Sequence, residues 1–360
     1  MLNELRISGS HPTTVRYYEW TPQSLHLPHP PHANNAPVEP SQIPQPPHPH
    51  SIPTGSSPDA AGTPDVQPRK PDAALHAETP ARPRAVIQLV HGMVEHLGRY
   101  APLAEYLTEH GYVVVGADHR GHGLSANTRN PLGYFGDGVE WEDLVEDIHA
   151  VRLHASERYP DLPYVIFGHS MGSFMLRTYL MRHSQGLAGA AIVGTGLWPG
   201  TIATVGLALA RAFSALHPRS QATILNAIAF GPYNKGFEHR TLFDWLSRDQ
   251  ANIDDYIADP LSGFVPSNAF FVQLLRGIQI ANAEPAFHLP PELPLYIVSG
   301  ELDPVGGAQA VRTVAAHYAN AGSRDVTARI FARDRHEVFN ETNKKQVWDD
   351  FAQWLYRVTA

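Results

Sequence analysis

The chain has 360 residues, a hydrophobic content of 43% and a formal net charge of -8. This apolar content is enough for a sizeable buried core, and the negative charge gives no basic surface for a nucleic acid partner. The sequence has no cysteine, which excludes disulfide bonds, thiolate nucleophiles and cysteine-ligated zinc.

The first eight residues lack the basic start and the apolar stretch of a signal peptide, so we expect the cytoplasm as the compartment. The most apolar stretch, 202–216, contains Arg211 and is shorter than the roughly 20 residues that a membrane-spanning helix needs. We therefore expect no membrane anchor.

Residues 13–20 are rich in β-branched and aromatic side chains and predict a strand. From 22 to 83 the composition changes to Pro, His, Ser, Asn and Ala, and roughly half of the chain's 32 prolines lie there. This composition predicts a disordered insertion. Prolines between its histidines prevent a fixed ligand geometry, so we expect a linker and not a metal site; the histidines are His26, His29, His32, His48, His50 and His76.

Strand and helix patterns alternate after this insertion. Apolar runs at 85–90 and 112–117 predict strands, and helices are predicted at 99–109 and 141–157. Near-continuous apolar runs are typical of strands buried on both faces of a parallel sheet. The fold class is therefore α/β, with a mostly parallel central sheet flanked by helices; further strands are predicted at 164–167, 190–193, 295–298 and 326–331, and a final helix at 344–357.

Roughly a hundred residues separate the run that ends at Gly196 from the run that begins at Leu295, far more than an ordinary crossover needs. We predict a helical cap here, inserted after the sixth strand, with helices at 202–216 and 270–281. We expect its first helix to present an apolar surface to the cleft, formed by Leu197, Trp198, Ile202, Val205, Leu207, Leu209 and Phe213.

The predicted organisation follows from these segments. It comprises an N-terminal strand of the core at 1–21, the disordered insertion at 22–83, the two parts of the core at 84–196 and 294–360, and the helical cap at 197–293.

The sequence Gly168-His169-Ser170-Met171-Gly172 follows a predicted strand and precedes a helical segment. In the α/β-hydrolase fold the nucleophilic serine stands in this G-x-S-x-G context, because small residues on both sides allow a sharp turn. The following helix N-terminus adds oriented N–H groups where an oxyanion forms. We predict Ser170 as the nucleophile; the alternative is a glycine-rich loop.

A serine nucleophile needs a histidine base and a carboxylate that orients the histidine. In this fold the acid and then the histidine follow the serine along the chain. Asp303 lies in a loop after the strand predicted at 295–298, and His336 lies between the strand predicted at 326–331 and the final helix. We predict Asp303 as the acid, with Glu301 as its closest rival, and His336 as the base.

The sequence His91-Gly92-Met93 follows the strand predicted at 85–90, where this fold supplies a second oxyanion donor. The predicted donors are the backbone N–H groups of Met93 and Met171, and Gly92 allows the tight turn. Packing of the two methionine side chains in the core is compatible with this role.

Several histidines and Asp118, in the segments 91–96 and 118–122, could together bind a metal ion. No tight ligand spacing such as H-E-x-x-H occurs among them. We therefore expect a structural turn in which Asp118 and Arg120 form hydrogen bonds with nearby backbone, and we expect no metal and no cofactor. A metallohydrolase is the alternative, with ligands drawn from His91, His96, Asp118, His119 and His122.

Three motifs together resemble the monoacylglycerol lipase and bacterial lysophospholipase branch of the α/β-hydrolases, which overlaps with the serine aminopeptidases. They are 91–100 (HGMVEHLGRY), 118–125 (DHRGHGLS) and 168–172 (GHSMG). In the cap, 233–237 (YNKGF) and 243–249 (FDWLSRD) are similar to the bacterial lysophospholipase subgroup. The resemblance covers about 85–355 and, weakly, the first strand, whereas 22–83 departs from the family pattern.

The resemblance implies Ser170, Asp303 and His336 as a catalytic triad and Met93 and Met171 as oxyanion donors. The expected activity is hydrolysis of a monoacyl lipid ester, a monoacylglycerol or a lysophospholipid, through an acyl-enzyme on Ser170. Alternatives are a short-chain esterase or thioesterase, a serine aminopeptidase, and a binding protein without catalysis. The expected partner is the small-molecule ester, with no nucleic acid and at most transient contact between the cap and a membrane surface.

Overall fold

The computed structural model describes residues 1–22 and 82–360. The disordered insertion predicted at 22–83 and its six histidines lie almost entirely outside the described residues. In the described ranges, eight strands form one sheet in the order β1-β2-β4-β3-β5-β6-β7-β8. The strands are β1 Leu2–Ile7, β2 Thr13–Trp20, β3 Val86–Val90, β4 Val113–Ala117, β5 Tyr164–His169, β6 Gly189–Val193, β7 Leu295–Gly300 and β8 Val326–Phe331.

The sheet is parallel from β4 to β8, and β1 and β2 extend it in antiparallel fashion. The predicted α/β class and central sheet are confirmed. The prediction of a single strand near the N-terminus was wrong, because β1 was missed. Only Ile7 of β1 is buried, so this edge strand lacks the apolar alternation from which a strand is predicted.

Helices cover both faces of the sheet, and side chains from the two faces of each strand enter two separate apolar cores. Val86 and Val90 belong to one core with residues of the helices at 141–158, 171–183 and 307–320, whereas Ile87 and Leu89 belong to the other with residues of the helices at 101–109 and 344–359. The helices are α1 Ala101–Glu109, α2 Trp141–Arg158, α3 Met171–His183, α4 Thr201–Leu216, α5 Thr223–Phe230, α6 Gln250–Ala258, α7 Asn268–Ala281, α8 Gly307–Asn320 and α9 Lys344–Thr359.

Four of these helices, α4 to α7, lie between β6 and β7, the sixth and seventh strands, where the sequence predicts a helical cap. We refer to residues 197–293 as the β6–β7 insertion. Its first helix, α4, packs on α7 through one face that includes Leu207 and Ala210. The opposite face is exposed and apolar, with Ile202 and Val205 accessible to solvent. Among the described helices, none is both long enough and apolar enough to cross a membrane.

Candidate active site

Ser170 lies at the turn from β5 into α3, with φ 52° and ψ -119°. This backbone conformation is disfavoured for a residue that has a Cβ atom. Hydrogen bonds hold it in place, since the N–H of Ser170 donates to the carbonyl of Val193 at 2.9 Å and its own carbonyl accepts from Ser173 N at 2.8 Å. The geometry is that of a nucleophile elbow.

The two glycines of the G-x-S-x-G motif are explained by close backbone contacts. A Cβ atom on Gly168 would overlap the carbonyl oxygen of Gly172 and lie 3.0 Å from Cβ of Leu176. A Cβ atom on Gly172 would overlap the carbonyl oxygen of Val90 and lie 2.7 Å from that of His91. The turn therefore packs directly against the end of β3, where only glycine fits.

Asp303 and His336 are in contact. Nδ1 of His336 lies 2.9 Å from Oδ1 of Asp303, and both side chains are buried. The carboxylate also accepts hydrogen bonds from Oγ of Ser299 at 2.7 Å and from the N–H of Val305 at 2.8 Å. Burial alone would raise the pKa of Asp303, but the charge of His336 and these hydrogen bonds lower it below its ordinary value. The carboxylate is thus suited to orienting the imidazole.

The rival acid, Glu301, does not approach the base. Its carboxylate accepts a hydrogen bond from the N–H of Arg333 at 3.0 Å, at the exposed side of the loop. Of Asp303 and its closest rival Glu301, the structure brings only Asp303 to His336.

Ser170 and His336 line the same cavity, which has a volume of about 420 Å³. Met93 also lines it, and the side chain of Met171 is buried. Within the described residues, the backbone N–H groups of Met93 and Met171 donate no hydrogen bond, so both are available to donate to an oxyanion. Apolar residues of the β6–β7 insertion form much of the remaining wall: Ala227, Phe230, Leu242, Phe243, Trp245, Leu246, Phe264 and Val265.

The prediction that the first helix of the cap faces the cleft was wrong. None of the seven residues predicted there, from Leu197 to Phe213, lines the cavity. The apolar wall comes instead from α5 and from the segments that flank α6. Of the predicted residues on α4, Leu207 is buried, whereas Ile202, Val205 and Leu209 are exposed to solvent.

A buried carboxylate that the sequence analysis did not single out lies beside the cavity. Oε1 of Glu95 accepts hydrogen bonds from the N–H of Gly92 at 2.6 Å and from the hydroxyl of Tyr100 at 2.8 Å, and lies 3.3 Å from Nδ1 of His169. Burial alone would raise the pKa of Glu95, but the hydrogen bond with His169 and the charges of Arg99 and His169 lower it well below its usual range. Glu95 thus secures the turn that contains Gly92.

Arg99 connects Glu95 to the loop of the candidate base. It lies 2.7 Å from Oε2 of Glu95 and makes two contacts of 2.7 Å with the carboxylate of Glu337, the residue after His336. The N–H of Glu337 donates to the carbonyl of Leu246 in the insertion at 2.7 Å. Arg99 and Glu337 are 238 positions apart, so their pairing leaves no local signal in the sequence.

No group of three or more metal-ligating side chains is present in the described part of the chain. His91, His119 and His122 lie close together, but the rings are buried and hydrogen-bonded to backbone groups. Burial lowers the pKa of His119 to about 4 and that of His122 to about 3, which keeps these imidazoles neutral.

Asp118 accepts hydrogen bonds from the N–H groups of Leu97 and Leu124, each at 2.8 Å, as predicted for a structural turn. The prediction for Arg120 was incomplete. Besides contacting a backbone carbonyl, its guanidinium pairs with the buried carboxylate of Asp147, with Nη2 2.6 Å from Oδ1. Asp147 lies on α2, too far along the chain to be recognised as a partner.

Comparison with known proteins identifies a family and similar folds. The family described as Serine aminopeptidase, S33 (Hydrolase_4) matches residues 81–343. The chain is 29% identical to a monoacylglycerol lipase of Mycolicibacterium smegmatis over 76% of this chain and 88% of the relative, and 24% identical to the monoglyceride lipase of Homo sapiens over 77% and 84%.

Among solved structures, a thermostable carboxyl esterase from Bacillus coagulans superposes with a TM-score of 0.77 at 24% identity, covering 100% of this chain and 99% of the esterase. The predicted resemblance to the monoacylglycerol lipase branch is confirmed by the family match and the relatives. The chain belongs to the serine aminopeptidase S33 family of hydrolases and has the α/β-hydrolase fold.

Proposed function

We propose that this hydrolase cleaves a monoacyl lipid ester through an acyl-enzyme on Ser170. The observation that carries the proposal is the meeting of Ser170 and the His336–Asp303 pair at a cavity with largely apolar walls. The lipase relatives support the same substrate class, because the family members matched over most of their length are named for monoacylglycerol hydrolysis.

The proposed reaction starts when Nε2 of His336 takes the proton of the Ser170 hydroxyl while Oγ attacks the ester carbonyl. The oxyanion is stabilised by the backbone N–H groups of Met93 and Met171. Collapse of the tetrahedral intermediate expels the alcohol, which receives the proton from His336, and leaves the acyl group on Ser170. A water molecule then loses a proton to His336 and attacks the acyl carbonyl. The bond to Oγ of Ser170 breaks, His336 returns the proton to Oγ, and the fatty acid leaves.

The charges around the cavity favour an uncharged head group. Among the residues described as lining it, there is no lysine or arginine. Its two carboxylates, Glu95 and Glu337, both bind Arg99 behind the wall. A phosphate would therefore find no cationic partner, whereas glycerol hydroxyls need only polar groups. We propose a monoacylglycerol in preference to a lysophospholipid.

The same charges argue against the alternative of an aminopeptidase, because recognition of a free amino terminus requires a carboxylate that is not already paired. A short-chain esterase or thioesterase would use the same triad and differs only in how much of the apolar wall the acyl group contacts. Chain length and leaving group therefore separate these activities.

The test compares wild type with Ser170→Ala on 1-monodecanoylglycerol, on decanoyl-lysophosphatidylcholine, on a decanoyl thioester and on an aminoacyl anilide. We expect Ser170-dependent hydrolysis, fastest for the monoacylglycerol, and labelling of Ser170 by a fluorophosphonate. Near wild-type hydrolysis by Ser170→Ala would contradict the mechanism. A preference for the lysophospholipid, the thioester or the anilide would contradict the proposed substrate.

We further propose transient contact between the β6–β7 insertion and a membrane surface, since Ile202 and Val205 of α4 are exposed by 76% and 59%. The double variant Ile202→Glu/Val205→Glu should hydrolyse substrate in lipid vesicles more slowly and monomeric substrate at an unchanged rate. The control is Leu153→Glu, which changes an exposed apolar side chain on α2, outside the insertion. Equal rates of all three proteins on vesicles would exclude this contact. The cytoplasm remains a proposal for the compartment, and cell fractionation tests it.

A further inference from the structure

Val94 follows Met93, one of the proposed oxyanion donors, and adopts φ 50°. A β-branched residue in this left-handed region is a conformational outlier, because its side chain crowds the backbone. Such strain persists only where surrounding contacts impose it. The contacts that impose it on Val94 therefore restrain the loop immediately after Met93, whose N–H belongs to the preceding Gly92–Met93 peptide.

Two groups of the β6–β7 insertion bind the carbonyl oxygen of Val94. The N–H of Gly263 donates a hydrogen bond at 2.9 Å, and the hydroxyl of Tyr256 donates another at 3.2 Å. Gly263 itself has φ 68°, and a Cβ atom there would lie 3.2 Å from Cε1 of Tyr256. The two donors are thus packed against each other and act on a single acceptor.

We infer that Tyr256 is a positioning residue for the oxyanion hole: its hydroxyl holds Val94 in the left-handed conformation and thereby aims the N–H of Met93 at the oxyanion. This inference rests on the proposed function, because it assumes that Met93 is an oxyanion donor. It assigns to the insertion a role in the chemical step, in addition to contact with the acyl chain.

Tyr256 is well suited to a test, because its ring is held independently of its hydroxyl. The side chain is buried, its ring stacks under the guanidinium of Arg99 at 4.8 Å, and it meets the ring of Phe243 edge to face at 5.1 Å. Tyr256→Phe preserves these contacts and removes one donated hydrogen bond.

We expect Tyr256→Phe to lower kcat about tenfold with KM within a factor of two, since the lost contact matters most when negative charge develops on the substrate oxygen. The affinity for an alkyl boronic acid, whose tetrahedral adduct places an oxygen in the oxyanion hole, should fall by a similar factor. Tyr296→Phe is the matched control. This buried tyrosine donates to Asp350 at 2.6 Å on the opposite side of β7, and its loss should leave kcat and boronate affinity unchanged.

A double-mutant cycle separates positioning from a general loss of packing. Glycine adopts positive φ readily, so Val94→Gly removes the strain that the hydroxyl opposes. In the Val94→Gly background, Tyr256→Phe should change kcat by less than twofold. A full tenfold loss in that background, or a change confined to KM in the Val94 background, would overturn the inference.

The outcome is distinguishable from failure of the proposed function. If ester hydrolysis does not depend on Ser170, the proposed function is wrong. Alternatively, hydrolysis depends on Ser170, but the Tyr256→Phe variant unfolds like wild type and keeps full kcat and boronate affinity. In that case only the positioning role is wrong.

Discussion

The buried carboxylate of Asp303 and the imidazole of His336 form a direct contact, Oδ1 to Nδ1 at 2.9 Å. A carboxylate in this position accepts the Nδ1–H, which leaves Nε2 unprotonated and able to take the proton of a serine hydroxyl. The tautomer of His336 therefore depends on a single oxygen atom of Asp303.

Asp303→Asn should lower kcat by about 10⁴-fold, as the corresponding change does in serine proteases, because an amide can hold the histidine in the wrong tautomer. Glu301→Gln, two positions away and bound to Arg333 instead, should stay within twofold of wild type. Steady-state hydrolysis of a p-nitrophenyl ester measures both. Greater damage from Glu301→Gln would show that the acid has been assigned wrongly.

Gly172→Ala should destabilise the fold by at least about 2 kcal/mol and abolish activity, because the added Cβ overlaps the carbonyl of Val90. Gly206→Ala in α4 is the control. Its Cβ would meet nothing closer than Leu275 at 3.7 Å, so it should stabilise the helix by about 0.5–1 kcal/mol. Thermal unfolding and ester hydrolysis test the pair, and an active, stable Gly172→Ala variant would refute the packing argument.

Glu95 should contribute a pH-dependent part of the stability. Its pKa is lowered in the folded state, so the unfolded state binds more protons below the unfolded pKa of about 4.3. The contribution is complete above that pH and is lost as pH falls through the lower folded value. The gap in unfolding free energy between wild type and Glu95→Gln should therefore shrink below about pH 4.3. It should also shrink as pH rises above about 6.5, the ordinary pKa of histidine, because burial alone would lower the pKa of His169 but the hydrogen bond and charge of Glu95 raise it in the folded state.

Denaturant titrations at each pH measure this gap. Glu105→Gln, on the exposed side of α1, is the control and should show a small difference at every pH. A gap for Glu95→Gln that widens as pH falls below about 4.3 would contradict the sign of the Glu95 shift.

The apolar wall predicts a preference for longer acyl chains. Each buried methylene contributes about 0.8 kcal/mol, so kcat/KM should rise more than tenfold over a few methylenes until the cavity is filled. Phe230→Asp in the wall should reduce this gain, whereas Leu209→Asp on the exposed face of α4 should not. Esters from acetyl to dodecanoyl, below their micelle concentrations, provide the measurement. A steady fall from acetyl onward would favour a short-chain esterase.

The central strands were predictable because strands buried on both faces have continuous apolar runs, and the catalytic candidates were predictable because their order and loop positions follow the fold. The edge strand β1 was not predictable, because five of its six residues are not fully buried. Amphipathicity showed that α4 has an apolar face but did not show whether α7 or the cavity covers it.

Two contacts between distant segments could not be predicted from the sequence, because the partners are far apart along the chain. Arg99 pairs with Glu337, and Tyr256 binds the carbonyl of Val94, across 238 and 162 positions respectively. Neither pair has a fixed spacing. The first depends on how the two parts of the core meet, and the second depends on how the insertion folds back over the sheet.

The backbone of Ser170 implies a conflict between activity and stability. Its φ of 52° and ψ of -119° cost on the order of 1–3 kcal/mol for a residue with a Cβ atom, a cost that glycine largely avoids. Ser170→Gly should therefore unfold at a higher temperature than the wild-type chain while losing hydrolysis. Selection for thermal resistance alone would favour glycine at this position, and we propose that the requirement for a serine nucleophile opposes it.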